Sequence, residues 1–260
     1  MQLFYRKLSP ENSKTTTNII ILHGLFGTAD NWFTIGKKLA EKNNVYLIDQ
    51  RNHGQSGWSD NWSYEEMSED LNEFISTHQL ENIALVGHSM GGKTAMLFAE
   101  KFPEKLSKLI VVDISPRYYA PHHSNIIEAL KSIDLKNLTS RQEAEKQLEN
   151  QGLDIGTRQF LLKNLYRNDN QNFGWRMNLD VISQKINNVG ENYSNDFGYE
   201  GATIFIRGDK SNYINLENDT PIIKKHFPNA EIITVKDAGH WVHAEQPQTL
   251  LAILNDFLGE

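Results

Sequence analysis

The 260-residue chain contains no cysteine. That excludes a disulfide framework, a thiolate nucleophile, and zinc or iron–sulfur sites held by Cys. No stretch approaches the roughly 18–20 consecutive apolar residues that a membrane-spanning helix needs. The first residues, Met1-Gln2-Leu3-Phe4-Tyr5-Arg6-Lys7, lack the apolar centre of a secretion signal. A soluble, cytoplasmic protein is the expectation. Positive charge is in deficit: 26 Lys and Arg face 33 Asp and Glu, a net of −7. Nucleic acid is therefore not an expected partner, since its recognition usually needs a basic face. Internal repeats and low-complexity linkers are also missing. What is present is 39% hydrophobic and 10% aromatic. At this length that supplies a substantial core and argues against broad disorder.

Six short apolar runs punctuate the chain, at 18–22, 44–49, 82–87, 108–113, 202–208 and 230–235. They are continuous rather than alternating, the pattern of strands buried on both faces of a parallel sheet. Helical patterns lie between them at 31–41, 63–78 and 91–102, the last followed by Pro103. A closing helix is predicted over 247–258, with Leu250, Leu251, Leu254 and Leu258 on one face. The alternation predicts βαβ units in a doubly wound, mostly parallel α/β sheet. From 116 to 189 no strong β run occurs, and 125–133, 140–150, 157–166 and 179–186 read as helices. We expect a helical lid inserted at 116–189 into a core made of 1–115 and 190–260.

The most specific motif is Gly87-His88-Ser89-Met90-Gly91, a G-x-S-x-G between an apolar β run and a helix rich in Ala and Met. That is the context of a nucleophile elbow. A sharp strand-to-helix turn strains the Ser89 backbone, and flanking glycines avoid the clashes. The following helix aims its first amides at the site. Acyl chemistry also needs two N–H groups aimed at the developing oxyanion. Met90, just after the serine, is one candidate. The loop Leu22-His23-Gly24-Leu25-Phe26-Gly27 offers the other, and Leu25 is favoured over Phe26. His23 is read as bracing that loop and His88 as a packing residue.

These segments, with Asp49-Gln50-Arg51-Asn52-His53-Gly54-Gln55-Ser56 and Val111-Val112-Asp113-Ile114-Ser115-Pro116, together resemble the YbfF-like esterases of the α/β-hydrolase superfamily. The likeness covers nearly the whole chain. It implies an α/β-hydrolase fold and a Ser–Asp–His hydrolase of short- to medium-chain acyl esters, with acyl-CoA thioesters as a further option. No metal or organic cofactor is implied, and the partner is a small-molecule ester or thioester.

The family order runs serine, acid, histidine. His240, in Lys236-Asp237-Ala238-Gly239-His240-Trp241 after the last β run, is the expected base. His243 would begin or cap the next helix, and His122 and His123 could at most line the pocket. The usual acid lies in the loop Gly208-Asp209-Lys210-Ser211-Asn212-Tyr213, where the expected position holds Ser211. The resemblance instead points to Asp113 at an earlier strand end, with Asp209 as the alternative. Ser211 would then support His240 by a hydrogen bond. Asp237, Asp49 and Arg51 are read as structural. Phe26, Tyr118, Tyr119, Phe173 and Trp175 are expected pocket residues, with Phe160 and Leu161 as further lid candidates. Residues 116–190 carry ten Lys and Arg against eight Asp and Glu, so this region is net +2 and the remainder −9. Such a lid would attract acidic leaving groups such as CoA. Two rival classes stay open: a carbon–carbon lyase of the same fold acting on a carboxylate, and a non-catalytic binding protein on a hydrolase scaffold.

Overall fold

A computed structural model describes residues 1–10, 17–193 and 198–259. The sheet strands are β1 (Tyr5–Leu8), β2 (Asn18–Leu22), β3 (Asn44–Ile48), β4 (Ile83–His88) and β5 (Leu106–Val112), then, after a small hairpin of β6 (Leu165–Arg167) and β7 (Phe173–Trp175), β8 (Thr203–Gly208) and β9 (Glu231–Val235). Their spatial order is β1-β3-β2-β4-β5-β8-β9. Only β1 is antiparallel to its neighbour; every other pair in this sheet is parallel. The fold is that of an α/β hydrolase, as expected.

The continuous apolar runs divide by parity. Ile20 and Leu22 of β2 face a cluster with Phe74, Ala95 and Phe98, whereas Ile19 and Ile21 face one with Trp32, Ile35, Leu39 and Leu254. Side chains alternate across a strand, so a strand covered on both faces must be apolar throughout. The covering helices are α1 (Phe33–Leu39), α2 (Tyr64–Thr77) and α3 (Met90–Lys101), with α10 (Pro247–Leu258) on the α1 side. Chain order reverses between β2 and β4. Ligands of open α/β sheets bind outside the carboxyl ends of the strands at such a point, and the loops after β2 and β4 carry Gly24 and Ser89.

Between β5 and β8 lie α4 (Ser124–Ser132), α5 (Arg141–Asn150), α6 (Ile155–Leu162), the β6–β7 hairpin and α7 (Leu179–Gln184). Their apolar sides, including Ile127, Leu130, Leu162 and Ile182, close over Leu25, Phe26 and Met90. Lys93 of α3 fixes both crossings. Its buried ammonium donates to the Arg117 carbonyl at 2.8 Å and to the Glu191 carbonyl, where the chain leaves and re-enters the sheet layer. Burial, aided by Arg117, pushes this lysine down to about 7.

Some elements depart from the sequence expectations. β1 is an edge strand with only partial burial, so its Tyr-Arg-Lys-Leu carries no continuous apolar run. The helix expected over 157–166 ends at Leu162, because Leu165 and Arg167 pair with Trp175 and Phe173. Helix α8 (Leu216–His226) contains Pro221, a residue that argues against a helix in sequence. The one-turn α9 (Val242–Glu245) was also not foreseen. Among the described residues no helix is long and apolar enough to cross a membrane.

Arg51 is structural, as expected. Its guanidinium takes the Asp70 carboxylate through Nε at 2.5 Å and Nη2 at 2.8 Å, with both side chains buried. Asp70→Ala, by leaving the buried guanidinium short of its partner, should lower the unfolding free energy by about 3 kcal/mol. Urea unfolding checks this. A loss below about 0.5 kcal/mol, typical of exposed pairs, would show that the pair is not a stabilising tie.

Candidate active site

Ser89 sits at the tip of the β4–α3 turn with φ 52° and ψ −118°. Its amide donates to the Val112 carbonyl at 3.0 Å, and its own carbonyl accepts from Lys93 N–H at 3.0 Å. Those bonds hold a conformation that L-residues disfavour. Close packing leaves the flanking positions to glycine. A Cβ at Gly87 would lie 2.2 Å from the Gly91 carbonyl oxygen, and one at Gly91 would lie 2.5 Å from that of Leu22.

Asp113 also has a left-handed backbone, φ 52°, just past the end of β5. Its fully buried carboxylate accepts from Gly208 N–H at 3.1 Å, from the Ser211 hydroxyl, and from His240 Nδ1 at 2.8 Å. Since Nδ1 donates to the acid, Nε2 is free to act as the acceptor of a neutral imidazole. His88 donates from Nε2 to the His240 carbonyl at 2.8 Å. The Tyr213 ring lies parallel to the imidazole, 3.7 Å away and inclined by 14°.

Ser89 and His240 line one cavity of about 140 Å³. Ser89 Oγ makes no hydrogen bond among the described residues, so the serine–imidazole contact is not yet closed. Apo sites often tighten only when substrate is bound. Beside the serine, Met90 supplies the first amide of α3. The Phe26 amide is already engaged by His53 Nε2 at 3.2 Å, whereas the Leu25 amide meets no acceptor among the described residues. That leaves the Leu25 amide, with the Met90 amide at the first position of α3, as candidates to bind an oxyanion.

The model of the alpha/beta hydrolase fold family matches residues 17–247. The chain belongs to that family. The α/β hydrolase is 38% identical over 256 residues to the mouse protein named sn-1-specific diacylglycerol lipase ABHD11, covering 95% of this chain and 83% of that one. It is 28% identical over 261 residues to Esterase YbfF of Escherichia coli, spanning the whole of both chains. Among solved structures, one described as a marine microorganism esterase superposes with a TM-score of 0.94 at 42% identity, covering 98% of this chain and 99% of that one. The resemblance drawn from the sequence motifs is thus met, and these three relatives are described as a lipase and two esterases.

The hydrolase places several expected residues elsewhere. Ser211 hydrogen-bonds Asp113, not His240: its hydroxyl reaches the carboxylate from the start of the β8 loop. Asp209 is exposed, one residue past β8, and the carboxylate that meets His240 is that of Asp113. Asp237 pairs with Lys210 at 2.8 Å on the surface. Phe26 and Phe160 line the cavity at Ser89. Tyr119 lines a second, smaller one there. Tyr118 does not contribute, being 54% exposed. Phe173 and Trp175 are drawn away by the hairpin. Phe173 lies under the Arg167 guanidinium, and Trp175 lines a separate surface cavity beside Gly54 and Gln55. Leu161 is buried within the insertion's apolar cluster.

Sequence reasoning missed Tyr213. Its place two residues beyond Ser211, in the loop already suspected, was the available signal. Burial and the Asp113 charge push its phenol up to about 12, so it stays neutral. The Tyr213 hydroxyl lies 2.7 Å from His122 Nε2, while His122 Nδ1 lies 3.1 Å from the Ala120 carbonyl. The tyrosine therefore donates to His122.

His23, His53, His123 and His243 also pack around the site, and burial suppresses their protonation. His23 donates from Nδ1 to the Gly24 carbonyl at 2.8 Å and accepts from Gln50 N–H at 3.0 Å. His243 is inside α9 rather than at its start and stacks on Trp32 at 4.4 Å. Burial pushes His23 down to about 4, and His53, His123 and His243 to about 3. The unfolded chain binds protons to these rings below their ordinary 6.5, while the folded protein resists until about 4 or lower. Their stabilising contribution is complete above pH 6.5 and is lost as pH falls. Melting temperature should drop between pH 6.5 and 4, with uptake of more than about two protons on unfolding near pH 5. Calorimetry across that range checks it; a flat melting temperature would contradict neutral, buried rings.

Proposed function

We propose that this α/β hydrolase is a serine carboxylesterase that cleaves short- to medium-chain acyl esters, with acyl-CoA thioesters as further substrates. The observation that carries the reading is the buried Asp113–His240 hydrogen bond at a cavity into which the Ser89 elbow opens. His240 Nε2 takes the Ser89 proton as the hydroxyl attacks the acyl carbonyl. The Leu25 and Met90 amides bind the oxyanion, and Asp113 holds the tautomer and stabilises the imidazolium. The imidazolium returns its proton to the leaving oxygen or sulfur. Water, activated by the same base, then cleaves the acyl-serine. The insertion at 116–189 acts as a lid, keeping water from the acyl-enzyme and contributing Phe160 and Tyr119 to the walls.

The lyase reading requires a cation to bind the substrate carboxylate, and among the described residues no Arg or Lys lines either cavity at Ser89. That favours a neutral ester.

Two assays test the proposal. Ser89→Ala should abolish both p-nitrophenyl butyrate turnover and labelling by a fluorophosphonate. Asp113→Asn should lower kcat by about 10³–10⁴ with folding intact, while Asp209→Asn keeps near-normal turnover; the reverse ranking would overturn the assignment of the acid. For acyl-CoA, kcat/KM should fall as ionic strength rises, because the insertion is the net-positive part of an acidic chain. An unchanged value would refute the electrostatic contribution while leaving ester hydrolysis in place.

A further inference from the structure

Two cavities meet at Ser89. The larger, about 140 Å³, is lined by Trp32, Phe160, His240 and Trp241, among others. The smaller, about 20 Å³, is lined by Tyr64, Met90, Ile114, Ile186 and Val189. Ser89, His122, His123 and Tyr213 border both. His240 borders only the larger, and Met90 only the smaller. This asymmetry assigns the two halves of an ester.

We propose that the smaller cavity is the acyl pocket and the larger one the leaving-group pocket, making the enzyme selective for short acyl groups, acetyl and propionyl, on bulky apolar alcohols. The inference rests on the serine-esterase reading. In the acylation step the Ser89 oxygen bonds to the carbonyl carbon, the carbon–oxygen bond to the alcohol breaks, and the proton on His240 Nε2 goes to the departing oxygen. That oxygen must therefore lie on the His240 side. The carbonyl carbon's other substituent, the acyl chain, then takes the cavity that His240 does not line. The two oxyanion donors divide between the cavities, Leu25 bordering the larger and Met90 the smaller, which sets the carbonyl oxygen at their junction.

Size sets the acyl limit. A water-sized group needs about 10–15 Å³ of such space, so the smaller cavity holds one or two methylene-sized groups beyond the carbonyl carbon. Its walls are fixed from both layers. The Tyr64 hydroxyl of α2 donates to the Val189 carbonyl at 2.7 Å, and the Asn188 amide donates to the Trp62 carbonyl at 2.8 Å. Both bonds tie the turn Ile186–Gly190 to the core, so the pocket cannot widen without breaking them. The larger cavity, walled by Trp32, Phe160 and Trp241, offers aromatic surface to an apolar alcohol.

The test is a matrix of esters: acetyl, propionyl, hexanoyl and octanoyl chains, each on ethanol and on 2-naphthylethanol. The wild type should favour propionyl over octanoyl, and naphthylethyl over ethyl, each by at least about tenfold in kcat/KM. Val189→Ala should raise the octanoyl-to-propionyl ratio at least about tenfold and leave the ratio between the two alcohols in place. Ile186→Val, a milder change, should move the same ratio in the same direction if Val189→Ala melts too low to assay. Phe160→Ala should lower the naphthylethyl-to-ethyl ratio without altering the acyl profile. Exchange of the two effects, or octanoyl esters cleaved by the wild type as fast as propionyl esters, would overturn the proposal. No ester turnover at all, with Ser89 unlabelled by the fluorophosphonate, would instead remove the esterase reading beneath it.

Discussion

A carboxylate with no access to water must be met by donors on every side, or its burial costs several kcal/mol. At Asp113 those donors come from the amide that ends β8, the hydroxyl of the loop after it, and the imidazole beyond β9. One charge thus draws the end of β8 with its following loop, and the loop after β9, to the end of β5. The left-handed backbone at Asp113 turns the side chain sideways off β5 toward β8. On extended backbone the acid would face one surface of the sheet instead, and His240 would have no partner at its Nδ1. The register of β5 against β8 is accordingly as important to the site as the identity of the residues in it.

Around that charge the protein spends histidine on rigidity. His23, His53, His88 and His243 are buried rings with their ordinary basicity suppressed. Each of the first three makes a bond to backbone in the loop that follows a strand, and His88 holds the carbonyl of His240 itself. A neutral imidazole both donates and accepts, so it can fasten two backbone groups at once. His53, for example, accepts the Phe26 amide and so decides which amides stay free beside the serine.

Much of this was legible in the sequence, and the reasons are local. Strands buried on both faces need unbroken apolar runs, so the six parallel strands declared themselves. The elbow is dictated by steric limits within five residues, and Ser89 stands where those limits place it. The edge strand β1 and the β6–β7 hairpin bury too little to leave a pattern. Pocket residues fared worst, because an aromatic side chain in an insertion looks the same whether it faces the serine or the solvent. Phe26 and Phe160 reach the cavity, while Tyr118, Phe173 and Trp175 do not. Tyr213 escaped notice because stacking on His240 depends on the meeting of two loops 27 residues apart, which no motif records.

The way Lys93 fastens the insertion has an evolutionary side. Its ammonium grips the carbonyls of Arg117 and Glu191, atoms that every amino acid possesses. The joint is therefore indifferent to which side chains stand at those two crossings. Residues between them can drift, lengthen or be exchanged while the anchor on the nucleophile's own helix stays the same. A scaffold of this kind can acquire new specificities by rewriting its cover and leaving its chemistry untouched.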